Sequence, residues 1–244
     1  MRLGLLAASR IAEAAVVSPA RELDRIELVA VAARDRDRAE QAAQRWEIPQ
    51  AFGSYEEMLG SGQLDAVYIG TPAALHRPWV ERALAHDLHV LCEKPFASNA
   101  DDAHRAMAAA RESDRVVMEA FHWRYHPLVA QMQAVLDRLG PVRRVEAWFD
   151  VEEGRIPPDD IRWDFRLGGG STMDLGCYCI AWVRWAVGAE PTVVAARAEA
   201  TPDGVDASLE ADLRWSDGAV GTIRSSMAAP RRGSGLVVEA DLGV

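Results

Sequence analysis

The sequence predicts an α/β protein of two domains: a doubly wound parallel sheet over residues 1–123, then an α+β domain with a largely antiparallel open sheet over 124–244. Three observations predict it. Short continuous apolar runs alternate with helical stretches as far as Ala120, the pattern of βαβ units whose strands are buried on both faces. One of those runs, Leu88-His89-Val90-Leu91-Cys92, ends in Glu93-Lys94-Pro95, which delivers a charged pair to the carboxyl end of a strand. Beyond Arg124 the alternation stops, and strand-like segments follow one another across turn signals such as Ser216-Asp217-Gly218.

In order, Leu3 to Ala7 reads as a buried strand, followed by a helix from Ile11 to Val17. Ile26 to Ala33 is a second strand, and the Ala, Arg, Glu and Gln residues between Asp37 and Trp46 form a helix. A short helix over Tyr55 to Gly60 precedes the strand Ala66 to Gly70. Pro78 to His86 is helical, His89 to Cys92 a strand, Ala100 to Ser113 helical and Val116 to Ala120 a strand. In the second domain Pro127 to Leu139 is a helix stopped by Gly140-Pro141, and Val142 to Val151 a strand. A polar, proline-bearing loop over Gly154 to Arg166 leads to three glycines and a helix ending at Gly188. Segments 192–200, 205–215 and 219–228 and Leu236 to Ala240 are strands, arranged as consecutive hairpins.

A chain of 244 residues can bury the cores of two such domains. Its net charge of −10 argues against nucleic acid or an anionic membrane as main partner. The three cysteines, Cys92, Cys177 and Cys179, include no CxxC pair, which points to neither a disulfide framework nor a metal site and fits a reducing cytoplasm. No apolar run reaches the length of a membrane span, and Met1-Arg2-Leu3-Gly4 leads into a strand instead of a signal peptide.

In an open α/β sheet the ligand crevice lies at the carboxyl ends of the strands. Lys94 belongs there, facing either a ligand or, as half of a surface Glu-Lys pair, solvent. The turn after the first strand, Ala7-Ala8-Ser9-Arg10-Ile11-Ala12, stands where a dinucleotide-binding protein carries G-x-G-x-x-G. Its small residues and the helix start still allow a phosphate close to backbone amides, although a plain strand–helix turn reads the same way. At the end of the second strand Ala33-Arg34-Asp35 replaces the acid that holds ribose hydroxyls. Arg34 is thus either a reader of a 2′-phosphate, selecting NADP over NAD, or a solvated loop residue. In the second domain Asp174 and Tyr178, four apart, share one face of the helix that follows the glycine run. Ser171 and Asp174 also have the spacing of a capping box, so Asp174 could serve the helix end alone.

Thr71-Pro72 followed by His76, then Glu93-Lys94-Pro95, then Glu119-Ala120-Phe121 with Arg124 and His126-Pro127, together with the run Gly168 to Tyr178, resemble the Gfo/Idh/MocA oxidoreductases in order and spacing. The likeness spans the chain and is greatest to the branch of dihydrodiol and xylose dehydrogenases. It implies a Rossmann-type first domain and a C-terminal domain whose open sheet joins subunits into a homo-oligomer. It implies an NADP-dependent transfer of hydride, with NAD also possible, to or from a secondary alcohol of a small polyol or cyclic diol. Lys94, Asp174 and Tyr178 become the catalytic set, and the Lys94-Pro95 bond a candidate cis peptide. Ala7, Ser9, Arg10, Ile11, Arg34, Thr71, Pro72, His76, Glu93 and Lys94 become the cofactor contacts. His76 fits equally as a helix-start histidine with a structural bond. The turn departs from the family where Ala7 and Ser9 replace glycines, and the family's C-terminal sheet is longer than this sequence supplies. Two other readings therefore stand beside the dehydrogenase: a non-catalytic dinucleotide-binding protein, and a subunit completed by a partner.

Overall fold

The computed structural model describes residues 1–243. They divide into two compact units, Met1–Ala120 and a second beginning at Phe121.

In the first unit β1 (Arg2–Leu6) runs through a turn into a wide helical turn over Glu13–Val17, continued by α1 (Ser18–Arg21). Then come β2 (Glu27–Ala32), α2 (Arg36–Trp46), β3 (Gln50–Phe52), α3 (Tyr55–Leu59), β4 (Ala66–Ile69), α4 (His76–Ala85), β5 (His89–Cys92), α5 (Ala100–Arg111) and β6 (Val117–Glu119). The strands form one parallel sheet in the order β3-β2-β1-β4-β5-β6. The order reverses between β1 and β4, which makes the carboxyl ends of those strands the topological switch point. Both faces of the sheet are covered, and this is why its strands read as continuous apolar runs. Leu3, Leu5 and Tyr68 pack toward Val17 and Trp46, whereas Leu6, Val67 and Ile69 pack toward Met58 and Val80. Asp35, Ser54 and Asn99 cap α2, α3 and α5 by accepting from the backbone N–H three residues on. The edge strand β3 was not anticipated; three half-buried residues are too few to show a period.

The second unit holds α6 (Pro127–Leu139), β7 (Val142–Glu152), a wide helical turn over Thr172–Gly176 continued by α7 (Cys177–Val187), and β8 (Thr192–Ala200), β9 (Asp206–Arg214), β10 (Val220–Ala229) and β11 (Gly233–Ala240). Its sheet order is β11-β7-β10-β9-β8, antiparallel throughout except where β7 meets β10 in parallel. The run of hairpins thus ends at β10, and β11 crosses over to pair with β7. The α7 face is closed by Cys179 and Val183 against Val145, Leu213 and Ile223. The other face is open, and every residue of the edge strand β8 is exposed. No residue of α6 is buried.

Candidate active site

Lys94 is held by a set of bonds around the turn that follows β5. Tyr68, fully buried in β4, donates its phenol to Glu93 Oε1 at 2.9 Å. Glu93 Oε2 accepts the backbone N–H of Lys94 at 3.1 Å. Glu119, at the end of β6, accepts the N–H of Phe96 at 2.9 Å. The Lys94-Pro95 peptide is cis, as the family resemblance implies. Three adjacent strands therefore fix the backbone on both sides of the lysine, which is itself half-buried. Tyr68 was not singled out by sequence. Its one legible signal is a phenol within an aliphatic strand, which requires a buried partner. Burial first, and then the Glu93 charge, push the Tyr68 phenol far above its ordinary value, so it remains a donor.

His76 belongs to this brace. The side chain is 1% exposed, with Nδ1 2.8 Å from the carbonyl oxygen of Pro95 and Nε2 2.8 Å from that of Thr71. Both ring nitrogens thus face backbone carbonyls, and the neutral ring donates through one of them, placing the side chain between the turn after β4 and the turn after β5. Of the two roles the sequence allows His76, this geometry supplies the structural bond. Burial, outweighing the pull of those carbonyls, lowers its pKa.

The turn after β1 carries the signature of its missing glycine. Ala7 adopts φ +101°, a conformation that glycine takes readily and alanine only with strain. Helix begins at Glu13, two residues later than the sequence suggests, and leaves Ile11 52% exposed. Two hydroxyls, Ser9 Oγ in this turn and Thr71 Oγ1 after β4, are buried without a hydrogen-bond partner among the described residues. Buried hydroxyls left unpaired at a switch point are groups that a bound ligand can satisfy, so this crevice fits a dinucleotide.

Arg34 is exposed in the turn after β2. Arg38, one helical turn along α2, lines a hollow with Ala8, Ser9, Arg10, Arg45 and Trp46, and its Nη2 reaches the carbonyl oxygen of Ala8 at 3.4 Å. The Tyr55 phenol, raised mainly by burial, is pulled back by Arg34 and Arg38 together, so both guanidiniums act on one neighbourhood. Sequence reading passed over Arg38, yet a cation four residues after Arg34 at a helix start was visible in Arg34-Asp35-Arg36-Asp37-Arg38. Cys92 is fully buried, and burial pushes its thiol well up, so it packs as an apolar residue. Burial likewise pushes Cys179 up to about 12.

In the second unit the predicted capping box is absent. Ser171 makes no cap to the helix; its hydroxyl donates to Asp206 Oδ2 at 2.8 Å instead. Asp174 is joined to the preceding loop. Its Oδ2 accepts from Arg162 Nε at 2.7 Å, and Arg162 Nη1 donates to the buried Asp160 at 3.0 Å. Burial works against the Arg162 charge, but the Asp174 and Asp160 carboxylates more than offset it and raise its pKa. Arg162 lies in the polar, proline-bearing loop over Gly154 to Arg166 and was not singled out by sequence. Tyr178 is buried among aromatic rings: edge-on to Phe121 at 5.2 Å, and tilted against Phe149 at 5.5 Å and Trp182 at 6.0 Å. Those contacts leave the phenol ring few orientations.

Residues 1–121 match the oxidoreductase family with an NAD-binding Rossmann fold, and residues 129–243 match the GFO/IDH/MocA C-terminal domain. The chain belongs to the Gfo/Idh/MocA oxidoreductases. Its first unit is that family's dinucleotide-binding Rossmann domain. It is 38% identical over 233 residues to D-xylose 1-dehydrogenase (NADP(+)) 2 of Haloferax volcanii, covering 94% of this chain and 70% of the relative. It is 35% identical to trans-1,2-dihydrobenzene-1,2-diol dehydrogenase of Xenopus tropicalis over 83% of this chain but only 62% of the relative, so it spans less than two thirds of that enzyme. Among solved structures, a 3-ketoreductase from Actinomadura kijaniata in complex with NADP and TDP-benzene superposes with a TM-score of 0.92 at 29% identity, covering 98% of this chain and 74% of that one. Further structures of the same ketoreductase carry a replaced lysine or a replaced tyrosine.

Among the described residues no group of histidines, cysteines or carboxylates is arranged to hold a metal, and no helix is long and apolar enough to cross a membrane.

Proposed function

We propose that the chain is an NADP-dependent dehydrogenase acting on a secondary alcohol of a sugar or cyclic diol. The observation that carries this reading is Lys94, clamped by Tyr68–Glu93, Glu119 and His76 at the carboxyl end of β5, where the sheet presents its ligand crevice. The nicotinamide, when bound, supplies the hydride acceptor. Tyr178 takes the proton of the substrate hydroxyl, and the Lys94 ammonium favours the phenolate and polarises the same oxygen. Asp174, held by Arg162, orients the hydroxyl. Ser9 and Thr71 spend their unpaired hydroxyls on the cofactor, and Arg34 and Arg38 read its 2′-phosphate. The lysine and the tyrosine replaced in the ketoreductase lie as far apart in that chain as Lys94 and Tyr178 do in this one, which supports their pairing here.

Two assignments accompany this one. The open sheet face, with its exposed edge strand β8, joins subunits into a homo-oligomer, and three cysteines outside any disulfide suit the cytoplasm. The strained Ala7 favours one competing reading, a dinucleotide-binding protein without turnover.

Titration with NADPH and NADH, followed by nicotinamide fluorescence, tests the proposal before any substrate is known. Binding with NADPH preferred, then turnover on an aldose or trans-diol, is the expected result. Failure to bind either nucleotide overturns it, and binding without turnover on any polyol establishes the competing reading.

A further inference from the structure

We infer that Asp206 is a positioning residue: from the first position of β9 it fixes the start of the helix that carries Asp174 and Tyr178. The inference rests on the proposed roles of those two residues. Asp206 Oδ2 accepts three hydrogen bonds, from Thr172 N at 2.7 Å, Thr172 Oγ1 at 2.7 Å and Ser171 Oγ at 2.8 Å. The bonds span 34 and 35 residues of chain. The helix end is therefore capped from the sheet and not from its own sequence, and a carboxylate there also complements the positive end of the helix.

The glycine run is shaped around this carboxylate. Gly170 sits at φ +126°, and a Cβ on it would stand 2.1 Å from Asp206 Oδ1. One residue earlier, a Cβ on Gly169 would stand 2.5 Å from the carbonyl oxygen of Arg162, the residue that holds Asp174. Ser171 is locked from its other side by Ser225 of β10, with Oγ atoms 3.2 Å apart. Two strands thus seize the residues on which the helix begins.

The start must be fixed because the first turn is wide. Cys177 N reaches back five residues to the carbonyl oxygen of Thr172, a geometry that is rare and, when it occurs, frequent at functional sites. If that turn relaxed to ordinary α pitch, every later residue would rotate by about 100° per residue of slip. Tyr178 would then leave its fixed place between Phe121 and Phe149, and Asp174 would leave Arg162. Asp206 touches none of the atoms proposed to react; it acts through Thr172 and Ser171.

The test compares Asp206→Ala, Asp206→Asn and Thr172→Ala with the parent chain. Four readouts are used: NADPH affinity, kcat against KM, the pH profile of kcat, and near-ultraviolet circular dichroism, which reports the aromatic rings around Tyr178. The expected result for Asp206→Ala is unchanged NADPH affinity, kcat lowered about 10- to 100-fold with a shifted acidic limb of the oxidation profile, and loss of the near-ultraviolet bands. Asp206→Asn, which keeps an acceptor oxygen, restores most of both. Should Asp206→Ala fail to fold, Thr172→Ala decides: it removes one bond and is expected to lower kcat several-fold with the same spectral change. A kcat within twofold of the parent, with an unaltered spectrum, in Asp206→Ala, or in Thr172→Ala should Asp206→Ala not fold, overturns the inference. If the parent itself turns over no polyol, the dehydrogenase reading falls alone, because the spectral comparison still tests the role of Asp206.

Discussion

The phenol of Tyr68 donates to the carboxylate of Glu93 across adjacent strands, and that bond anchors the residue immediately before Lys94. Tyr68→Phe preserves the ring's packing but strips Glu93 Oε1 of this donor in a half-buried place. Losing the partner of a charged acceptor costs about 1–3 kcal/mol, so chemical denaturation should show a lower midpoint with unchanged slope. The sign of the pH dependence follows from the raised Tyr68 pKa. The stabilisation is fully present below the unfolded tyrosine's value near 10 and is lost as pH rises beyond it. The difference between parent and variant should accordingly stay constant across neutral pH and narrow only in strong alkali.

Ala7→Gly should make the protein more stable. Ala7 holds φ +101°, and its amide donates to the carbonyl oxygen of Ala32 at 3.2 Å, so the turn cannot relax without losing a bond between β1 and β2. Glycine removes the strain at a cost in unfolded-state freedom of about 0.5–1 kcal/mol, against relief of about 1–3 kcal/mol. Thermal unfolding should shift upward, and NADPH should bind at least as tightly. A lower unfolding temperature would show that the alanine is not strained.

His76 should make the first unit sensitive to mild acid. Its pKa in the folded protein is lowered, chiefly by burial, whereas the unfolded ring titrates near 6.5. The unfolded state therefore binds more protons just below that pH, and stability falls as pH drops through about 6.5. Denaturation midpoints measured from pH 7.5 to 5 should decline in the parent. His76→Asn should be less stable at pH 7.5, through loss of the brace between Thr71 and Pro95, and should lack the His76 share of the decline. An equal slope in both proteins would exclude His76 as its source.

Several of these relationships show what the sequence could and could not disclose. The strands of the parallel sheet were legible because burial on both faces makes Ala66-Val67-Tyr68-Ile69 and its counterparts continuously apolar. The Lys94 turn was legible because a charged pair and a proline must end a strand. The cap on the α7 segment was not, since Ser171 and Asp174 have the spacing of a local box while the acceptor arrives from Asp206 in another strand. His76 was equally opaque: a histidine at a helix start reads alike whether its nitrogens meet a ligand or two backbone carbonyls. The pairing of β11 with β7 escaped for a similar reason, because alternation along a strand shows which face is buried and not which neighbour lies beside it.

Arg34→Ala and Arg38→Ala should each weaken NADPH binding and leave NADH binding unchanged. Both guanidiniums act on the same ring of Tyr55, so they share one neighbourhood near the end of β2. A charge-assisted bond to a phosphate contributes about 1.5–3 kcal/mol, equivalent to roughly a 10- to 150-fold loss of affinity for each arginine. Because both cations would meet one dianion, the double variant should lose less than the product of the single losses. Equal losses for the two nucleotides would remove these residues from phosphate recognition.

Tyr178→Phe should abolish most turnover while leaving the fold intact. The ring's contacts with Phe121, Phe149 and Trp182 are made by its carbon edges and faces, which phenylalanine reproduces. The near-ultraviolet signature of this aromatic cluster and the NADPH affinity should therefore be retained. Without the phenol no group at this position can exchange a proton with the substrate hydroxyl, and general acid–base catalysis of that kind contributes about 100- to 10,000-fold. The loss should fall on kcat more than on KM, since the proton moves only in the transition state. Lys94→Ala separates the two roles: it should lower kcat as well, and in addition move the acidic limb of the oxidation pH profile upward, because the phenol would lose the ammonium that favours its anion. A Tyr178→Phe variant with full kcat would remove the tyrosine from the chemistry and leave Lys94 as the sole proton-handling candidate.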